Sequence, residues 1–73
     1  MTKPKYRLGD LIRDYSTWEI ELIIEVRDGG GAWCYKTTYM NGKCDGEYDF
    51  WYEETIDSYY VVIGNIFEGD KHA

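Results

Sequence analysis

The sequence predicts a small all-β domain, and three observations carry that expectation. From Trp18 to Arg27, apolar and polar residues alternate with a period of two. A strand sorts such a run onto two faces, whereas a helix would scatter it. Further aromatic and β-branched runs follow, parted by Gly29-Gly30-Gly31 and by Asn41-Gly42, both strong reversal signals. The one stretch without strand alternation, Glu53 to Ser58, is too short for a helix stable on its own.

The chain has 73 residues, enough for one domain (1–73, ordered core about 5–67) and one core. Met1 to Lys5 is a polar lead-in carrying the only proline, Pro4. Gly9-Asp10 bends the chain, Leu11-Ile12-Arg13 begins the first strand, and Ser16-Thr17 makes a short turn. The second strand is Trp18 to Arg27. Trp18, Ile20, Leu22, Ile24 and Val26 should face the core, and Glu19, Glu21, Glu25 and Arg27 the solvent. Ile23 interrupts the polar row, which implies a bent strand. Asp28 to Gly31 then reverses the chain. A glycine run cradles phosphate only between a strand and a helix, and here a strand follows.

That third strand, Ala32 to Met40, has an aromatic odd face (Trp33, Tyr35, Thr37, Tyr39) and a wetter even face marked by Lys36. Asn41-Gly42, extended through Lys43-Cys44-Asp45-Gly46, leads into a fourth strand from Glu47 to Tyr52. Glu53 to Ser58 fits one turn of 3₁₀ helix with Ile56 plugging the core. Tyr59 to Ile63 is the fifth strand, ended by Gly64. Ile66 and Phe67 fold back, and Glu68 to Ala73 frays.

Three Trp, eight Tyr and two Phe supply the burial that so short a chain needs. Each buried ring removes roughly 150–250 Å² from water, about 4–6 kcal/mol before entropy, and conformational entropy cancels most of it. Trp18, Tyr35, Phe50, Ile56 and Val62 are the expected filling. Tyr39, Tyr48, Trp51, Tyr52 and Tyr59 are left for partial exposure.

Five strands with a helical turn before the last imply a bent barrel of two orthogonal sheets. The opening Tyr6-Arg7-Leu8-Gly9-Asp10 and the closing Glu53-Glu54-Thr55-Ile56-Asp57 with Tyr59 to Ile63 resemble small SH3-like barrel proteins. Acidic, aromatic-rich chains of this size look like accessory proteins of bacteriophages and mobile elements. The resemblance covers about residues 5–67 and implies an architecture rather than a chemistry. The Ala-Leu-Tyr-Asp-Tyr run of peptide-binding SH3 domains is missing, so proline-peptide binding is not inherited.

Charge separates the function classes. Residues 1–40 hold six acids and six bases, and residues 41–73 hold eight acids against Lys43 and Lys71, so 2 − 8 gives the whole net charge of −6. Phosphate binding needs clustered Lys and Arg, so direct nucleic-acid binding is disfavoured and a basic protein partner favoured. Solubility alone would account for the same acidity.

Catalytic chemistry is not expected. The only histidine, His72, lies at the tail, where nothing orients it for a triad, and neither Cys34 nor Cys44 has a base beside it. Glu53-Glu54 are sequence neighbours rather than carboxylates facing across a cleft. No cofactor or metal is implied, because two thiols and a terminal histidine do not complete a tetrahedral set. With no apolar leader and no run long enough to span a bilayer, the chain should be cytoplasmic and its thiols reduced. The candidate partner-binding residues are Asp45, Glu47, Tyr48, Asp49, Trp51, Tyr52, Glu53, Glu54 and Tyr59, acids interleaved with aromatics. The expected role is that of an acidic module binding, or inhibiting, a host protein with a basic surface, such as one that handles nucleic acid. A self-associating barrel and a weak nucleic-acid binder using Lys3, Lys5, Arg7 and Arg13 are the alternatives.

Overall fold

The computed structural model describes residues 3–42 and 44–68. The expectations for Lys43, His72 and the tail beyond Glu68 lie outside them. The elements are β1 (Asp10–Asp14), β2 (Ile20–Asp28), β3 (Trp33–Tyr39), β4 (Tyr48–Tyr52), α1 (Glu53–Tyr59) and β5 (Tyr60–Asn65). All strand pairs are antiparallel, and one sheet runs in the order β4-β3-β2-β1-β5. The first four strands form a meander, and α1 carries the chain to the far side of β1. β4 and β5 are therefore the two edges. They do not pair with each other, so the sheet is open where a closed barrel was expected.

The phase of β2 departs from the sequence pattern. Glu21 and Ile23 are buried, while Ile20, Leu22 and Ile24 are only half-buried. Between Ile23 and Glu25 the pairing with β3 slips by one residue, because Ile23 faces Thr37 and Glu25 faces Lys36. Ile24 is the extra residue of a bulge, and a bulge exchanges the faces of everything beyond it. Val26 thus packs against the core as expected, whereas the strand before the bulge is turned over.

The core consists of Tyr6, Ile12, Ile23, Tyr35, Ile56 and Tyr60, with Val26, Trp33 and Trp51 packed against it. The Tyr6 and Tyr35 rings meet edge-on, with centroids 5.5 Å apart. Tyr35 and Ile56 fill the interior as expected, but Trp18, Phe50 and Val62 are exposed. Trp18 lies outside because the β1–β2 turn ends on it. Asp14 accepts hydrogen bonds from the Ser16 and Thr17 amides, and Trp18 takes a φ of 66°. A left-handed residue commonly closes such hairpin loops, and here it swings the indole outward under the Arg13 guanidinium, 4.5 Å from the ring.

The Glu53–Tyr59 segment is an α-helix of seven residues, not the expected 3₁₀ turn. So short a helix needs tertiary support. Ile56 is fully buried, and Glu53 and Glu54 occupy the positive end of the helix dipole. The opening Tyr-x-x-Gly-Asp motif is equally structural. Asp10 is buried and accepts from the Arg7 amide (2.9 Å) and Asn65 Nδ2 (2.8 Å). Gly9 has a φ of 87°, and a Cβ there would collide with the Phe67 ring. Ile66 and Phe67 therefore do fold back, onto Gly9, and the Ile66 amide donates to Gly9 O. β5 reaches past Gly64 to Asn65 because Gly64 still pairs with Leu11.

Candidate protein-binding site

Antiparallel pairing places side chains two apart on one face of a strand. On β4, Tyr48, Phe50 and Tyr52 share the outer, exposed face, and Asp49 and Trp51 turn towards the interior. Trp51 Nε1 donates to Glu21 (2.9 Å), and Tyr39 OH donates to Asp49 (3.1 Å). The outer face is not bare. Lys36 lies 4.7 Å from the Tyr48 ring centroid and 5.7 Å from that of Phe50, and Arg27 lies 5.7 Å from that of Phe50. Cation–π contact thus occupies the first two rings of the stripe. Tyr52 is 56% exposed and stands nearest the helix.

At that end the chain forms an open cleft of about 400 Å³, lined by Gly31, Ala32, Trp33, Tyr52, Glu53, Glu54 and Asp57. One wall is the β2–β3 turn with the first residue of β3, and the other is the first half of α1. Two aromatic side chains and three carboxylates line the same hollow. Glu54 is exposed, whereas Glu53 and Asp57 also tie down the N-terminal segment. Tyr35 OH (2.6 Å) and the Lys5 amide (3.1 Å) donate to Glu53. Lys5 Nζ lies 2.8 Å from Asp57, which also accepts from Tyr6 OH. Hydrogen bonds from Lys5 and Tyr6 hold the Asp57 carboxyl below its ordinary value. Burial and the Glu53 bond push the Tyr35 hydroxyl well up.

The nine candidate residues therefore do not form one surface. Tyr52, Glu53 and Glu54 line the cleft. Tyr48 shares the outer face of β4 with Phe50, while Asp45 and Glu47 are exposed in the β3–β4 turn. Asp49 and Trp51 point inward, and Tyr59 is exposed at the far end of α1. Trp33 and Asp57 were not among the candidates. The signal for Trp33 was its place directly after the glycine turn, which puts a strand's first side chain beside whatever faces that turn.

Cys34 and Cys44 are free thiols. Burial, with Glu47 and Glu19 nearby, pushes the Cys44 thiol up, which disfavours the nucleophilic thiolate. Among the described residues, no group of three or more His, Cys, Asp or Glu is placed to hold a metal ion, and no helix is long and apolar enough to cross a membrane. Compared with protein-family models, with characterised proteins and with solved structures, the chain finds no match.

Proposed function

We propose that this chain is a small protein-binding module that receives a basic side chain of its partner in the cleft between the β2–β3 turn and α1. The observation that carries the reading is the pairing of Trp33 and Tyr52 with Glu53, Glu54 and Asp57 around one hollow. Aromatic faces attract a cation and carboxylates pair with it, and both effects strengthen as the partner displaces water. The acidic half of the chain adds long-range steering towards a basic surface. The antiparallel meander, the β1–β5 pairing and the helix before β5 support an opened SH3-like barrel as the scaffold. A cytoplasmic accessory protein of bacteriophage type, occupying a host nucleic-acid-handling factor where phosphates would lie, fits that acidity. The role is binding rather than catalysis.

Affinity capture on the immobilised chain, with mass spectrometry of what is retained, should return a protein with a basic surface. Tyr52→Ala and Glu54→Lys should each weaken that complex by roughly tenfold or more, about 1.4 kcal/mol. Asp45→Asn with Glu47→Gln, away from the cleft, should change the affinity much less. Association should slow as salt rises, since the Debye length is only about 8 Å near 0.15 M. A partner that binds equally well after Tyr52→Ala and Glu54→Lys would remove the cleft from the mechanism.

A further inference from the structure

A strand at the end of a sheet offers unpaired N–H and C=O groups to any other strand, and proteins usually guard such edges with charges, proline or a covering element. The two edges of this sheet are guarded very differently. β4 carries Asp49, follows Asp45 and Glu47, and runs into Glu53 and Glu54. Two copies meeting there would bring like charges together. β5 has no charge or proline to guard it; its one irregularity is a single extra residue, Ile63, between Val62 opposite Ile12 and Gly64 opposite Leu11. From Tyr59 to Phe67 there is no charged residue and no proline, in a chain that is 30% charged.

The backbone along β5 is also oriented for pairing. Tyr15 N donates to Tyr59 O at 3.0 Å, and the register continues through Asp14 opposite Tyr60, Arg13 opposite Val61 and Ile12 opposite Val62. Antiparallel pairs alternate between hydrogen-bonded and non-bonded. Val61 is thus bonded to β1, and the N–H and C=O of Val62 turn to the free edge. Val62, Ile63, Ile66 and Phe67 along this stretch are 43, 45, 50 and 70% exposed.

We propose that a second copy of this chain pairs with the free edge of β5, strand against strand across a two-fold axis, joining the two sheets into one. The geometry asks for a β-strand, and the lack of charge asks for an uncharged one. Between two copies that each carry a net charge of −6, β5 is the edge where the sheets can meet without opposing carboxylates. An isologous antiparallel pair is closed, so it stops at a dimer. Ile63, Ile66 and Phe67 would add apolar area beside the new backbone bonds. This surface is separate from the cleft of the proposed function.

Sedimentation equilibrium of the full chain tests the pairing. The mass should rise from one chain to two with concentration. Ile63→Lys should hold it at one chain with an unchanged far-ultraviolet circular dichroism spectrum, and so should Ile63→Glu. Mixing the two variants should restore the two-chain mass, because opposite charges then meet across the axis. In the wild-type chain, amide exchange at Val62 should slow as concentration rises, which checks the edge without any substitution. Tyr52→Ala and Glu54→Lys should leave the dimer intact. A wild-type chain that stays at one-chain mass throughout would overturn the inference. So would a dimer that persists in Ile63→Lys, or one that leaves the Val62 amide exchanging at its dilute rate.

Discussion

Glu21 is the residue on which most of the interior converges. It is 1% exposed, and its carboxylate accepts from Thr37 Oγ1 (2.6 Å), Trp51 Nε1 (2.9 Å) and Tyr60 OH (2.5 Å). Burying a carboxylate is costly unless hydrogen bonds replace its water, and here three neutral donors do so. Those donors come from β3, β4 and β5, so one side chain on β2 ties the sheet across its width. Glu21→Gln keeps the shape but sets an amide N–H₂ against a donor. It should cost roughly 1–3 kcal/mol, read from the urea midpoint at constant slope. An unchanged midpoint would show that the network does not restrain the fold.

At the scale of the element, the bulge in β2 makes a sharp distinction between neighbouring isoleucines. Ile23 is buried in the core, whereas Ile24 is the extra, half-buried residue. Ile23→Ala should therefore cost about 2–5 kcal/mol, the range for a cavity in a packed core, and Ile24→Ala clearly less. Denaturation of the two variants side by side checks this, and the reverse order would deny the bulge. The alternation of Trp18 to Arg27 made a strand legible there. It could not reveal the face, because Ile20, Leu22 and Ile24 form one apolar row and Ile23 begins another. On β3 the reading of the faces was right, since Lys36 lies opposite a row of three aromatic residues and Thr37. The helix was legible as a helical turn plugged by Ile56. Its second turn was not, because the bonds from Lys5, Tyr6 and Tyr35 that support it join residues far apart in sequence.

For the whole molecule, the tyrosine hydroxyls set an alkaline limit. Burial comes first among the causes that push Tyr6, Tyr35, Tyr39 and Tyr60 well above the ordinary 10.0. Carboxylates add to it: Asp57 for Tyr6, Glu53 for Tyr35, Glu21 and Asp49 for Tyr39, and Glu21 for Tyr60. A raised pKa in the folded chain means that the unfolded chain loses these protons first. The stability held by the neutral rings is complete below pH 10.0 and drains away as pH rises through the higher folded values. Tyrosinate absorbance from these four rings should therefore appear together with the loss of circular dichroism above that pH. Absorbance well ahead of unfolding would mean that the rings are open to solvent.

The sequence by itself determined what depends on neighbours along the chain. Alternation located the strands, Gly29-Gly30-Gly31 and Asn41-Gly42 located the reversals, and the charge count placed the acidity in the second half. It also showed that Tyr52, Glu53 and Glu54 combine acids with an aromatic ring, though not that Trp33 and Asp57 complete the hollow. Only the tertiary structure decided which face of β2 is inside, that Trp18 is turned out, and that the sheet stays open with β5 at its edge. The physical reason lies in the separation of the partners. Glu21 is buried because its donors lie 16, 30 and 39 positions away, and no local pattern can show that a charged side chain will find them.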